Sequence, residues 1–483
     1  MEGAVFFGRE QELSELNRLY DQGGFQMIVL YGRRRVGKTT LALEFARDKP
    51  SLVFTAKVQN DALNLADFSR ALYSKFGLPV STGSFSSWDA AFEFFAKMAG
   101  DKKVVFVFDE FPYAASKNSA LVSTLQIAID RTFKNTNIFL ILTGSNQGFM
   151  EEKVLGAMPA AEGESGLGEK NPLFGRRTAQ IRLAPFGYLD AAKMLPGKTP
   201  IELATYYACF GGTPYYLSLI DQHASFEENV TRLFFRKEGL LYEEPMMLLR
   251  QELREPATYN SILGAIAAGA NTPTAISDKT GIERTSVAKY LNTLVSLRLV
   301  EKVVPFGESL KTTRKGIYKI TEPCYSYWYG FVEPAIAEIE QNAGELVAAD
   351  VLEPEILSTH VGHWFEAICK EWLIAQAKKG ELPVRPTRFG SWWGANPETR
   401  QQDDIDVVAA NPRHKELLLG ECKWRESFNE TKAIEKLHSR ASIFKGYDDI
   451  CLALFTKYGM GEATKEKYAS QGCIFVAADD LYE

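Results

Sequence analysis

Residues 26–46, QMIVLYGRRRVGKTTLALEFA, decide the fold of the first part of the chain. Gln26–Tyr31 is an apolar run of strand length, and Lys38 to Ala46 is amphipathic, so a strand and a helix flank a Gly-rich turn. The turn, Gly32-Arg33-Arg34-Arg35-Val36-Gly37-Lys38-Thr39, fits G-x-x-x-x-G-K-[ST]. Its glycines let the backbone curl until N–H groups surround phosphate oxygens. Lys38 is placed to neutralise β and γ oxygens, the Thr39 hydroxyl to take one magnesium position, and Thr40 follows at the helix start. The positive end of the helix adds to the attraction. A chance Gly-rich turn would not have both flanking elements, so ATP and Mg2+ are the expected ligands.

Working outward, apolar runs recur at 52–55, 104–108 and 138–142 with helical patterns between them, which predicts a parallel α/β sheet. Val104–Phe108 ends in Asp109-Glu110. An Asp at such a strand end holds magnesium, usually through water, and the following Glu orients the attacking water. The run 138–142 ends in Thr143-Gly144-Ser145-Asn146, which predicts that Ser145, with Asn146, senses a γ-phosphate. Arg176 and Arg177 are either γ-phosphate contacts, in cis or from a neighbouring subunit, or ordinary surface charges. The stretch 156–172, rich in Gly, Ala and Glu, reads as a mobile loop, and from Ile201 to Leu253 the pattern is helical, broken at Gly211-Gly212-Thr213-Pro214.

A length of 483 residues predicts about three domains. Hydrophobic residues at 46% and charged residues at 24% exclude wholesale disorder, and a net charge of -6 excludes a uniformly basic protein, though not a local basic island. The opening MEGAVFFGREQEL does not have the pattern of a secretory leader, and no apolar stretch is long enough to span a membrane. The six cysteines (Cys209, Cys324, Cys369, Cys422, Cys451 and Cys473) are scattered without a CxxC pair, so reduced thiols in a cytoplasm are expected.

Such an island lies within 258–320, which holds nine Lys/Arg against four Asp/Glu. An apolar helix ending near Gly269, a short helix over Thr272–Thr280, a turn at Gly281, a helix from Thr285 to Leu297 and strand-like pieces at 299–304 and 316–320 follow in the order of a winged helix-turn-helix. Arg284, Thr285, Ser286, Lys289 and Asn292 on the third helix, with Lys311, Arg314 and Lys315 on the wing, are the candidate contacts to duplex DNA. The same module serves elsewhere for protein docking, and that alternative stands beside it. The aromatic run 325–331, YSYWYGF, reads as packing.

After an acidic, Ala-rich connector near 335–350, residues 352–483 return to mixed α/β. Gly362-His363-Trp364-Phe365-Glu366 begins an amphipathic helix. Asp404–Ala409 and Leu417–Trp424 then read as two strands. Strand alternation puts Glu421 and Lys423 on one face, where Asp406 can meet them. Carboxylates so placed hold one or two magnesium ions that polarise a phosphodiester and acidify a water, with Lys423 stabilising charge. His360, His363 and His414 make no metal spacing, and Trp392, Trp393 and Trp424 read as packing before base stacking.

Two resemblances sharpen these readings. Phe7-Gly8-Arg9-Glu10, the loop at 32–39, Asp109-Glu110-Phe111, Thr143-Gly144-Ser145 and Gly211-Gly212-Thr213-Pro214 resemble a prokaryotic, archaeal-type ATPase family near the AAA+ and signal-transduction ATPases. That resemblance covers nearly the whole chain, and it implies an AAA-like fold with an adenine pocket near Phe7–Arg9. Residues 355–460 resemble the PD-(D/E)XK nuclease superfamily: Glu366 as the helix acid, Asp406 as the strand Asp, and Glu421-x-Lys423 as the closing motif. Ile405 stands where the fullest pattern has Pro, and Asp404 is an alternative ligand.

The expected architecture is therefore a multidomain α/β chain: a phosphate-loop ATPase core over 1–190, a helical lid over 191–256, a winged helix-turn-helix over 257–334, and a nuclease-like α/β domain with its connector over 335–483. The expected function is an ATPase that engages DNA and cleaves it with Asp406, Glu421 and Lys423. The alternative is an ATP-gated DNA-binding or scaffold regulator whose C-terminal domain is inactive and docks a partner. A small-molecule kinase fits the phosphate loop but not the helix-turn-helix. A homo-oligomer and a protein partner are compatible with either reading, and a membrane is not.

Overall fold

The computed structural model describes residues 6–79, 83–156 and 172–483, so the stretch expected to be a mobile loop lies almost entirely outside the described residues. The chain divides after Pro185 into two compact units.

In the first unit, β1 (Gln26–Gly32), β2 (Ser51–Thr55), β3 (Val104–Asp109), β4 (Ile138–Gly144) and β5 (Ala179–Leu183) form one parallel sheet in the order β2-β3-β4-β1-β5. β1 is buried along its whole length because both faces are covered. Met27, Val29 and Tyr31 join a cluster with Phe54, Phe68, Trp88 and Phe106, while Ile28 and Leu30 join another with Leu16, Leu41 and Phe45. Burial on both faces is why this strand reads as a continuous apolar run without alternation. Helices α1 (Glu10–Gln22) and α2 (Lys38–Ala46) cover the second face; α3 (Asp61–Lys75), α4 (Trp88–Ala99), α5 (Phe111–Lys117) and α6 (Leu121–Arg131) cover the first. β4 lies between the strand feeding the phosphate loop and the strand ending in Asp109, so all three carboxyl ends open on one crevice. Gly32 (φ 151°) ends β1 where a Cβ would lie 2.3 Å from the Leu183 carbonyl oxygen, so only glycine admits β5 at this distance.

Early in the second unit lie, among shorter helices, α7 (Pro200–Phe210), α8 (Phe226–Phe234) and α9 (Glu244–Glu252). The Gly211-Gly212-Thr213-Pro214 turn has a packing role: the Phe186 N–H donates to the Gly212 carbonyl at 2.7 Å, and a Cβ on Gly212 would lie 1.8 Å from the Phe186 carbonyl oxygen. Tyr325, Tyr327, Trp328 and Tyr329 are buried with Phe210 and Phe234, so the aromatic run fills a core. Next come α10 (Pro256–Ala267), α11 (Pro273–Thr280), α12 (Arg284–Ser296) and the antiparallel hairpin β6 (Val300–Val303) and β7 (Ile317–Ile320). Val287, Leu291 and Leu294 turn inward from α12, leaving Arg284, Thr285, Lys289 and Asn292 exposed.

A second five-stranded sheet, β8 (Arg388–Ala395), β9 (Gln402–Asn411), β10 (Glu416–Lys423), β11 (Asp449–Thr456) and β12 (Cys473–Ala477), runs in sequence order. β9 pairs antiparallel with both β8 and β10, and β10, β11 and β12 are parallel. The helix α13 (Pro354–Lys379) covers one face through Phe365, Ile368 and Leu373, and α14 (Glu430–Ser439) covers the other through Ile434 and Leu437. One expectation, the start of the helix carrying Glu366, is corrected here. The connector near 335–350 contains helices at Ile336–Glu340 and Gly344–Val351, and α13 begins at Pro354, not at Gly362. Proline at the first helical position is pre-set for helix, which moves the start two turns upstream.

Candidate functional sites: a phosphate loop, a basic helix-turn-helix and a carboxylate pocket

At the carboxyl end of β1, Arg35 (φ 69°) and Gly37 (φ 91°) turn the loop so that α2 starts at Lys38. Lys38 is buried, and its Nζ donates to the Arg33 carbonyl at 2.7 Å. Across the crevice, the buried Asp109 carboxylate accepts from the Thr39 hydroxyl at 3.0 and 3.1 Å, from Thr55 at 3.3 Å, and from the Thr143 hydroxyl. A carboxylate ringed by three hydroxyls, in a crevice whose loop also carries a lysine, is a donor set that fits a magnesium–nucleotide. Glu110 (φ 51°) accepts at Oε2 from the Ser145 N–H at 3.2 Å and the Ser145 hydroxyl at 2.8 Å. Ser145 thus addresses Glu110, a partnership its position in the sequence did not disclose.

Arg9 (φ 67°) donates to the carbonyls of Val36 at 3.1 Å and Ala184 at 2.6 Å, bracing the back of the loop next to the segment expected to border an adenine. Arg34 Nη2 donates to the Tyr113 hydroxyl at 2.7 Å. Arg176 is held by Asp130 of α6 at 2.9 and 2.7 Å, and Arg177 donates to the Leu155 carbonyl at 2.7 Å, so both serve structural contacts.

On the helix-turn-helix, Ser286 is half-buried while Arg284, Thr285 and Lys289 are exposed. Lys311, Arg314 and Lys315 are exposed on the loop of the β6–β7 hairpin, Lys315 paired with Glu308 at 2.8 Å.

In the C-terminal sheet, Ser358, His363, Glu366, Asp406, Lys423 and Arg425 line a cavity of about 330 Å³. Burial and then Asp406 push the Glu366 carboxyl up to about 7; burial and then Glu421 push Asp406 up to about 6. The β8–β9 register breaks between Gly390 and Trp392, leaving Asp406 and Val407 opposite the single Ser391. This bulge turns Asp406 toward α13 beside Glu366, and its Oδ2 accepts the Cys422 N–H at 2.7 Å.

Here the expectation from strand alternation is corrected. Glu421 does not line the cavity. Its Oε2 accepts from Arg440 Nη1 at 2.7 Å, and its Oε1 is taken by Lys423. Arg440, only 2% exposed at its side chain, also donates to Asp403 Oδ1 at 2.9 and 2.6 Å. Asp404 is 70% exposed and lies 3.8 Å from Arg440, away from the cavity. Among the described residues no group of three or more His, Cys, Asp or Glu side chains is arranged to hold a metal ion, so Glu366, Asp406 and Glu421 do not converge.

His360 Nε2 lies 2.8 Å from the Ala208 carbonyl, its ring packed on Tyr327 and Phe331. Trp424 is buried against Phe365, with ring centroids 4.9 Å apart. All six cysteines are free thiols, and among the described residues no helix is long and apolar enough to cross a membrane. Arg440 and the bulge at Asp406 are the features sequence reading missed; neither leaves a local signal.

The fold and the loop define a phosphate-loop ATPase domain joined in one chain to a helix-turn-helix. Residues 6–220 match an ATPase domain predominantly from Archaea, 261–303 an IclR helix-turn-helix domain, and 328–434 a family of archaeal and bacterial proteins of unknown function. The uncharacterized protein MJECL04 of Methanocaldococcus jannaschii is 31% identical over 448 residues, covering 92% of this chain and 93% of that one. The chain belongs to the same family as that protein. An uncharacterized ATP-binding protein of the same organism, MJ0423, is 46% identical over 45 residues, 9% of this chain and 76% of its own length. Among solved structures, the Walker-type ATPase PABY2304 of Pyrococcus abyssi shares the fold with a TM-score of 0.51 at 19% identity, over 67% of this chain and 96% of that one.

Proposed function

We propose that this chain is an ATP-hydrolysing switch that engages duplex DNA and presents a phosphodiester to the Glu366–Asp406–Lys423 pocket for magnesium-dependent cleavage. The observation that carries the reading is the Thr39–Asp109 pair, which joins the phosphate loop to the acidic strand in a chain that also exposes a basic helix-turn-helix.

Residues 32–40 would hold the phosphates, with Lys38 neutralising charge and Thr39 and Asp109 fitting Mg2+. Glu110 would orient the water, and Ser145 would fix Glu110. The helices α10 to α12 and the β6–β7 hairpin act as a winged helix: Arg284, Thr285, Ser286 and Lys289 meet a groove, and Lys311, Arg314 and Lys315 meet phosphates. In the C-terminal pocket, paired carboxyls with raised pKa values fit one divalent cation, which when bound would polarise the phosphate and acidify a water. Lys423 would stabilise charge on the leaving side, and Glu421 would hold Lys423 without ligating the metal.

The Arg440–Glu421 pair favours a second reading, an ATP-gated DNA-binding regulator whose C-terminal pocket binds a strand without cutting it. Magnesium- or manganese-dependent cleavage of plasmid and branched DNA, with and without ATP, separates the two. Loss of cleavage in Asp406→Ala establishes the nuclease, and loss in Lys38→Ala shows that ATP controls it. ATPase turnover with no cleavage by the wild type leaves the regulator.

A further inference from the structure

We infer that Arg34, at the apex of the phosphate loop, is the cation that neutralises charge on the γ-phosphate as it is cleaved, supplied in cis and held in place by Tyr113. The inference rests on the ATP-hydrolysing reading, in which the loop holds the phosphates, and gives one of its side chains a role confined to the transition state.

The arginines at the loop are placed differently from one another. Arg9 braces its back through the Val36 and Ala184 carbonyls. Arg33 is buried, and its carbonyl takes the Lys38 ammonium. Arg35 makes the left-handed turn toward Gly37. Arg34 is half-buried and crosses from the loop to α5, where its Nη2 donates to the Tyr113 hydroxyl at 2.7 Å.

Tyr113 ties this crossing to the end of the acidic strand. Its N–H donates to the Glu110 carbonyl at 2.9 Å, in the first turn of α5. Pro112 pre-sets that turn for helix. It also packs so closely on the end of β4 that a Cβ on Gly144 would lie 2.8 Å from its Cγ. Glu110 is fixed in turn by Ser145 and Thr143. The Arg34 side chain therefore spans from the loop to a helix start that is itself held on two sides.

That span borders the place of the γ-phosphate. Lys38 and the loop amides hold β and γ oxygens, and Glu110 orients the water, so the reacting phosphorus lies between them. As the water oxygen bonds to phosphorus, the bond from phosphorus to the β,γ-bridging oxygen breaks. ADP leaves with that electron pair. One proton of the water stays on its oxygen and the other passes through Glu110 to the phosphate, so ATP and water become ADP and dihydrogenphosphate. Negative charge grows on the bridging and γ oxygens during this step, and a fixed cation beside them lowers the barrier. A guanidinium has donors enough for phosphate oxygens as well as for one hydroxyl. Arg176 and Arg177 do not fill this role, since Asp130 and the Leu155 carbonyl hold them.

The test uses the full chain. Arg34→Ala should lower kcat for ATP by about 100-fold or more, while calorimetry finds its dissociation constant for a non-hydrolysable ATP analogue within about threefold of the wild type. Retained analogue binding also shows that the variant folds. Arg34→Lys keeps the charge without the fork and should recover part of the loss. Tyr113→Phe should lower kcat about fivefold and add nothing in the Arg34→Ala background, as expected of a positioning residue that acts through Arg34. The wild type should carry ADP with aluminium fluoride through gel filtration and Arg34→Ala should not, a readout that needs no turnover. Wild-type kcat per chain should hold as the protein is diluted. An Arg34→Ala variant with wild-type kcat that still traps ADP with aluminium fluoride would overturn the inference and leave ATP hydrolysis standing. So would a loss of analogue binding as large as the loss of kcat, which makes Arg34 a ground-state contact, or turnover that collapses on dilution, which puts the cation on a second copy. A wild type that binds ATP without hydrolysing it would overturn both.

Discussion

Ser145 donates both its N–H and its hydroxyl to one oxygen of Glu110, at 3.2 and 2.8 Å. Glu110 also gives its own N–H to the Thr143 hydroxyl at 3.1 Å and sits at φ 51°, a left-handed conformation uncommon for a residue with a side chain. Three polar contacts hold a strained residue at the carboxyl end of the sheet, next to the carboxylate that faces Thr39. Strain kept in this way clusters at functional sites. Glu110→Gln is expected to lower kcat for ATP by at least about 100-fold with nucleotide binding retained. Ser145→Ala should lower kcat by about tenfold and leave KM nearly unchanged, because it misplaces Glu110 without removing a phosphate contact.

Lys38 is buried against its own loop, so its charge is satisfied there by the Arg33 carbonyl. Lys38→Ala should leave the unliganded fold intact and remove ligand-linked stability. At ATP concentrations about 100-fold above its dissociation constant, the wild type should gain about 2.7 kcal/mol and the variant almost none, read as a shift in the denaturation midpoint.

Arg440 bridges Glu421 and Asp403 with its side chain 2% exposed. Truncation leaves two carboxylates without their buried cation, so Arg440→Met should cost about 3–5 kcal/mol in urea unfolding. Arg440→Lys keeps the charge but loses the fork that reaches both partners, and should fall between the variant and the wild type.

The raised carboxyls set a pH dependence. Glu366 and Asp406 titrate near 7 and 6 when folded and near 4.5 and 3.8 when unfolded. Between about pH 4 and pH 7 the folded chain keeps protons that the unfolded chain has released, so their contribution to stability is lost as pH rises through that window. Glu366→Gln should therefore flatten the fall, matching the wild type at pH 4 and exceeding it at pH 8 in denaturation midpoint. Added Mg2+ at pH 8 should raise the wild-type midpoint and leave that of Glu366→Gln unchanged.

What the sequence disclosed was what is local in it. The phosphate loop is contiguous, its strand is apolar throughout because both faces are buried, and α12 shows its buried stripe at Val287, Leu291 and Leu294. The C-terminal site was legible only as a set of residue types. Alternation predicts Asp406 beside Glu421, but one extra residue in β9 turns Asp406 toward α13, and the pleat leaves Glu421 to Arg440. A bulge depends on how two strands pair, and Arg440 lies 19 residues from the Glu it neutralises, so no short pattern announces either.

The most direct test of the central claim is duplex binding by the full chain at low salt, read by anisotropy with and without ATP and Mg2+, for the wild type and Lys38→Ala. The account predicts that the wild type binds DNA and that ATP changes its affinity at least about threefold, a coupling near 0.65 kcal/mol, while Lys38→Ala binds without responding. A wild type that hydrolyses ATP but never binds duplex DNA would contradict it.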